Sequence, residues 1–264
     1  MPRSFVEQAC ARCSVAGARL WFNCNPEGPE HWFFKEWICK AEQKNALRLH
    51  FTMDDNPGLH PGIRKRYDSM YTGLFHSRYV LGQWVAAQGL VYDFKDEYVV
   101  DMPTTPGNYY ISMDYGTMNP CSMGLWWVGD RAVRIGEFYY DGREKGVTLT
   151  DEEYYEALER LAGDRQIRQV IIDPSAASFI ALIRRRGRFS VRKARNAVVP
   201  GIRLVSSLLK AGKLGFTPAC ADCIREFRLY RWQDGADLPV KEHDHAMDDV
   251  RYFCATVLAR SFGL

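Results

Sequence analysis

What constrains this chain most is the order of its elements after residue 107: three strands, a helix, a strand closing on an acid, and then mostly helices. Tyr109 to Asp114 reads as a strand ending in a carboxylate. Ser122 to Val128 and Val133 to Tyr139 are two more, separated by Gly129-Asp130, a hairpin turn signal. Thr150 with Glu153 three residues on forms a capping box that opens a helix to about Leu161. Gln169 to Asp173 (QVIID) is a short buried strand, again ending in an acid. Helices are predicted over Ala176–Arg186, Ile202–Ala211, Ile224–Tyr230 and His245–Arg260, with a short strand at Val191. Such an order implies an α/β fold, a mixed sheet flanked by helices.

The stretch Asp101 to Asn108 (DMPTTPGN), with two prolines and a glycine, marks a boundary. It suggests a first region over 1–100, a linker over 101–107 and a second region over 108–264. In the first, Ser4 and Glu7 fit a capping box opening a helix to about Cys13. Arg19–Asn23 (RLWFN) reads as a buried strand, Asn25 to Pro29 as a turn, and His31–Ala41 as a helix. Leu47, Leu49 and Phe51 alternate as in a half-buried strand, and two short helices between Pro61 and Trp84 meet near Gly73. These pieces are too few, and too poor in complete sheet, for a whole domain.

With 47% hydrophobic and 25% charged residues, most of the chain is excluded from the disordered class. The net charge of +3 is only mildly basic. Its distribution says more: Arg184, Arg185, Arg186, Arg188, Arg192, Lys193 and Arg195 follow one another with no acidic residue among them. Such a run suits either phosphate contacts or an ordinary solvated surface. Eight cysteines include the pairs Cys10/Cys13 and Cys220/Cys223; about two hundred residues apart and each in a helical stretch, they read as buried reduced thiols rather than a zinc site. No signal peptide and no run of membrane-spanning length occurs, so a reducing cytoplasm is expected.

The acids carry the chemistry. Asp114 and Asp173 close strands, the edge at which open α/β sheets place ligands. His245 and Asp248 stand three residues apart on one face of the last helix, with Asp249 on nearly the same face. Two or three converging carboxylates suffice to hold Mg²⁺. Two such ions can activate water and stabilise the leaving oxygen of a phosphodiester. Asp114 would bridge both, Asp173 and the helical aspartate would complete one each, and His245 would orient a water or assist proton transfer. Spacing alone leaves Asp248 and Asp249 open.

Several segments resemble a known family. Leu20 to Trp32 (LWFNCNPEGPEHW) is similar to the segment that follows the ATPase core in phage terminase large subunits of the PBSX-like group. Asp114-Tyr115-Gly116 with Asn119-Pro120, Ile172-Asp173-Pro174-Ser175-Ala176, and Asp244 to Asp248 with Arg251-Tyr252 resemble the three nuclease motifs of that group, in order. The resemblance implies an RNase H-like endonuclease over 108–264 that cuts double-stranded viral DNA concatemers during genome packaging. It implies a Mg²⁺ or Mn²⁺ two-metal site on Asp114, Asp173 and Asp248, with His245 beside it, and the basic run from Arg184 to Arg195 on the DNA backbone. It implies residence in the host cytoplasm at the procapsid, with portal protein and a small terminase subunit as partners.

Residues 1–100 would then be the C-terminal remnant of a P-loop ATPase domain. The family's GxxxxGK[ST] loop is missing, so no ATP-binding residue is assigned and the chain alone is expected to hydrolyse no ATP. A separate N-terminal ATPase polypeptide would supply that part, the chain being an internal piece or a split gene. The remnant is expected to expose apolar surface for want of sheet partners. Two alternatives stand beside this reading. One is a non-enzymatic docking module for DNA or portal. The other is a transposase or junction resolvase, which has the acidic trio but no reason to carry NPEGPEHW.

Overall fold

The computed structural model describes residues 2–117 and 119–259; Arg260, where the sequence predicts the end of the last helix, lies outside them. The chain divides into two compact units, one reaching to Ala87 and taking in Asp234–Asp237, the other holding Gln88–Gln233 and the chain from Leu238 onward. The division therefore falls at Ala87 rather than in the proline-rich stretch at 101–107. Residues 88–100 belong with the sheet because Leu90 bridges Arg231 and Val99 bridges Phe216. Those pairings are too distant along the chain for turn signals to reveal.

The first unit contains α1 (Arg3–Arg12), a π-helical turn at Phe34–Ile38, α2 (Pro61–Met70) and α3 (Gly73–Tyr79). The predicted Ser4/Glu7 capping box does not form; Pro2 is the N-cap and Glu7 pairs with Arg3 instead. The strands expected at Arg19–Asn23 and Leu47–Phe51 are absent among the described residues. Neither segment has a neighbouring strand to take its backbone hydrogen bonds. Trp21 and Leu47 are each 84% exposed, and Leu49 and Phe51 are exposed with them. The NPEG turn is tied down by Asp237, which accepts from Gly28 N at 3.0 Å and from the buried Arg78 at 2.7 Å.

The second unit is built on a six-stranded mixed sheet. Its strands are β1 (Asn108–Asp114), β2 (Cys121–Val128), β3 (Ala132–Tyr140), β4 (Ile167–Ile172), β5 (Val191–Lys193) and β6 (Leu214–Phe216). Their order is β5-β4-β1-β2-β3-β6. The β1–β2 and β2–β3 pairs are antiparallel, whereas β1–β4, β4–β5 and β3–β6 are parallel. Helices are α4 (Gly142–Lys145), α5 (Asp151–Ala162), α6 (Ala177–Arg186), α7 (Val198–Lys210), α8 (Ala221–Leu229) and α9 (His245–Phe253), the last continued by a π-helical turn, Cys254–Leu258. Thr150 and Glu153 form the predicted capping box at the start of α5. β6 has no signature in the sequence: three residues with a central glycine carry no alternation.

Strand alternation sorts the two faces. Ile111, Met113, Met123, Leu125 and Ile135 pack with Tyr154, Leu158, Phe179 and Ile183 of α5 and α6 in one apolar core. The intervening residues face α9. Tyr110 meets the Phe253 ring, Ser112 bonds Asp249, and Asp114 bonds His245. Residues 245, 249 and 253 are one stripe of a helix, four apart. Four helical residues advance about 6.0 Å and two strand residues about 6.8 Å, so the stripe and the alternate strand positions stay nearly in step.

Three buried carboxylates lock this layer. Glu137 of β3 accepts from Asp222 N at 2.7 Å and Cys223 N at 3.2 Å, capping α8. Glu226 of α8 accepts from Ala246 N at 2.7 Å, capping α9, and from Tyr139 Oη at 2.6 Å. Asp249 of α9 returns to the sheet, where it accepts from Ser112, from Ser122 Oγ at 2.6 Å and from Arg134 Nη1 at 2.8 Å. Arg134 and Asp249 are both 0% exposed. Arg134 fits because residue 124 is glycine: a Cβ there would stand 2.3 Å from Arg134 Nη1. Removing one member of a fully buried pair strands the other's charge. Asp249→Ala is therefore expected to cost roughly 3–5 kcal/mol in urea unfolding. A loss below about 1 kcal/mol, the scale of an exposed pair, would contradict this role.

Candidate functional site

Parallel pairing of β1 with β4 brings the two strand-end acids together. Met113 and Ile172 are register partners, so Asp114 and Asp173 leave neighbouring strands at the same edge of the sheet. The N-terminus of α9 lies over that edge and delivers His245 to Asp114, Nδ1 to Oδ2, at 2.8 Å. Burial pushes the Asp114 carboxyl up to about 6; the His245 hydrogen bond opposes this and the nearby Asp248 charge adds to it. Burial pulls the His245 imidazole down, but the hydrogen bond and charge of Asp114, with Asp244 and Glu226, outweigh it and leave the ring above its ordinary value.

Asp173 follows β4 directly. Its Oδ1 accepts from Ser175 N at 2.8 Å and its Oδ2 from Asn196 Nδ2 at 3.1 Å. Partial burial raises its pKa, yet the Ser175 backbone and hydroxyl, Asn196 and the Tyr252 hydroxyl together hold the carboxyl below its usual value. Asp248 stands one helical turn beyond His245. Its Oδ1 accepts from Arg251 Nη2 at 2.6 Å, and its Oδ2 lies 3.5 Å from Tyr252 Oη and 3.8 Å from Lys241 Nζ. Burial first, then the charges of Asp248, Asp114 and Asp173, push the Tyr252 hydroxyl pKa up, with Arg251 opposing.

Asp249 has a different place. It is fully buried against Arg134 and two serines and turns its carboxylate into the sheet, away from the edge. Of the two adjacent aspartates, Asp248 keeps its carboxylate outside that pocket, bonded to Arg251 and facing Tyr252 and Lys241. Among the described residues, no group of three or more His, Cys, Asp or Glu stands close enough together to hold a metal ion. The chemistry of the donors nevertheless suits a hard divalent cation: carboxylate oxygens from two strand ends and a helix, with an imidazole alongside. Arg251 and Lys241 supply the positive charge that Asp248 faces here.

The basic run is not one patch. Arg184, Arg185 and Arg186 end α6, which starts just after Asp173 and runs back along the sheet. Ten helical residues carry them roughly 15 Å from that edge. Arg185 pairs with Glu152 at 3.1 Å, Arg186 pairs with the same carboxylate, and Arg188 pairs with Glu159 at 3.2 Å. Arg192 lies along β5, with Gln169 Oε1 at 3.3 Å. Lys193 and Arg195 return to the edge: Lys193 is the register partner of Ile172, and Ala194 N bonds the Ile172 carbonyl at 2.8 Å.

All eight cysteines are free; Cys220 and Cys223 are buried, but Cys13 is exposed and Cys10 half-buried, so that pair is not the buried one expected. No helix among the described residues is long and apolar enough to cross a membrane. Sequence reasoning misses Tyr252, Asn196, Lys241 and Glu226 as groups that hold the site. Tyr252 carries a signal, standing four residues after Asp248 on one helix face. Asn196 and Lys241 carry none, since loops bring them in.

No family model and no curated protein sequence matches the chain. Among solved structures, the large terminase of a thermophilic bacteriophage, in complex with ADP, is 48% identical over 98% of this chain and 67% of its own, with a TM-score of 0.90. The same terminase in complex with ATP-gamma-S matches equally well, with 68% of its length covered. The chain thus spans about two thirds of that protein. The nuclease domain of the P22 large terminase shares the fold at 19% identity, with a TM-score of 0.53 over 66% of this chain and 93% of that domain.

Proposed function

The chain belongs to the phage large terminase family, and on that premise we propose that its second unit is a divalent-metal-dependent endonuclease cutting double-stranded viral DNA concatemers during genome packaging. The observation that carries this reading is the parallel pairing of β1 with β4, which sets Asp114 and Asp173 at one sheet edge, with His245 of α9 hydrogen-bonded to Asp114. Asp114, Asp173 and Asp248 would hold Mg²⁺ or Mn²⁺. Bound there, divalent ions supply positive charge against the phosphate oxygens and make water a better nucleophile at neutral pH.

The chain's own residues then have defined tasks. With Asp114 ionised, Nδ1 of His245 would carry the proton it shares with that carboxylate, and Nε2, 3.7 Å from Asp244 Oδ1, would hold or release a second. Glu226 holds the first turn of α9 and so keeps His245 over the strand end. Lys193 and Arg195, at the same edge as Asp173, would take DNA phosphates. Such contacts position the duplex without reading its sequence. Arg184, Arg185, Arg186, Arg188 and Arg192 would at most extend this track farther from the cut.

By the same premise, the first unit, reaching to Ala87, would be the end of a P-loop ATPase domain, with residues 88–100 joined to the nuclease unit. Portal protein and a small terminase subunit are proposed partners, in the host cytoplasm. The exposed Trp21, Leu47, Leu49 and Phe51 favour a second reading, a docking piece that works only through such partners. The plasmid assay separates the two. Purified protein with Mn²⁺ should nick or linearise supercoiled plasmid, and EDTA or Asp173→Ala should abolish cutting; cutting that survives Asp173→Ala would sink the assigned site. Replacing Lys193 and Arg195 with Gln should weaken binding to all DNA sequences alike and reduce the salt slope by about 0.9 for each phosphate no longer neutralised. An unchanged slope would return both to ordinary surface.

A further inference from the structure

We propose that Arg251 is a positioning residue that sets two of the three site carboxylates at once. The inference rests on the nuclease reading above. Arg251 is 2% exposed and forms a two-ended bridge. One amino group, Nη2, donates to Asp248 Oδ1 at 2.6 Å, and the other, Nη1, donates to the main-chain carbonyl of Asn196. The side chain of that same Asn196 donates to Asp173 Oδ2 at 3.1 Å. A single guanidinium therefore ties α9 to the loop between β5 and α7, and through one residue of that loop it reaches the acid at the end of β4.

The bridge is built in from both sides. Gly201 of α7 stands where the Arg251 stem passes, and a Cβ at that position would lie 2.4 Å from Arg251 Cγ. By taking Oδ1 of Asp248, Arg251 leaves Oδ2 as the oxygen facing Tyr252 and Lys241. By holding the Asn196 carbonyl, it fixes where the Asn196 amide meets Asp173. A planar fork can satisfy two acceptors in different directions, whereas an ammonium supplies the charge without the fixed geometry. If Arg251 merely neutralised Asp248, lysine would replace it. If it positions both acids, lysine would not.

Mn²⁺ binding by titration calorimetry, read alongside plasmid cutting against Mn²⁺ concentration, tests this on the full chain and on Arg251→Lys and Asn196→Ala. Asn196 is exposed and its main-chain carbonyl is retained in the alanine variant, so that protein keeps the Arg251–Asp248 pair and loses only the amide on Asp173. Both variants should weaken Mn²⁺ binding and activity by roughly 10–100-fold, as losing an outer hydrogen-bond partner of a metal ligand does. Their thermal midpoints should stay near that of the parent. Parent-like Mn²⁺ affinity in either folded variant overturns the proposal; should Arg251→Lys fail to fold, Asn196→Ala decides alone. A parent protein that neither binds Mn²⁺ nor cuts DNA would instead bring down the nuclease reading, and the positioning role with it.

Discussion

The structure depends on a match of repeats between α9 and β1. His245, Asp249 and Phe253 recur every four residues along the helix, and Asp114, Ser112 and Tyr110 alternate along the strand. Because the two spacings nearly agree, the helix lies antiparallel along the strand with three successive contacts in register: a histidine on a carboxylate, a hydroxyl on a carboxylate and an aromatic pair. The Asp249 ion pair with Arg134 sets the phase. Consecutive helical residues point about 100° apart, so burying Asp249 against Arg134 obliges Asp248 to emerge on the adjoining stripe, where it meets Arg251, Tyr252 and Lys241. Two neighbouring aspartates thus have separate places: one anchors the helix in the sheet and the other pairs with Arg251.

Much of this is legible in the residues. Strand, hairpin, strand, helix, strand is written in alternation, a Gly-Asp turn and a capping box, and each of those elements appears. The two strand-end acids follow from the same pattern, and parallel pairing of their strands makes them neighbours. What the pattern does not resolve is the choice between Asp248 and Asp249, since both are one helical turn from His245. Their difference lies in partners more than a hundred residues away, Arg134, Ser122 and Ser112, and in the absence of a side chain at Gly124. No local propensity encodes such a pocket.

The misread parts share a cause. Arg19–Asn23 and Leu47–Phe51 have the composition of strands, but a strand needs a neighbour, and among the described residues neither segment has one. Leu214–Phe216 has little strand character yet becomes β6, because β3 offers a free edge to it along Ala132–Arg134. The arginine run misleads in another way. Closeness along the chain suggests closeness in space, yet Arg184 ends a helix that leads away from the β4 edge while Arg195 follows the strand that returns to it. Of that run, Lys193 and Arg195 come back to the sheet edge at which β1 and β4 end.

If Asp114, Asp173 and Asp248 form one cation site at that edge, anomalous diffraction from crystals of this chain soaked in Mn²⁺ will find it directly. The expected result is an anomalous peak bounded by the carboxylates of Asp114 and Asp173, with Asp248 Oδ2 turned toward it and Asp249 still buried on Arg134. A peak elsewhere on the molecule, or Mn²⁺ held through Asp249 instead, would contradict the assignment.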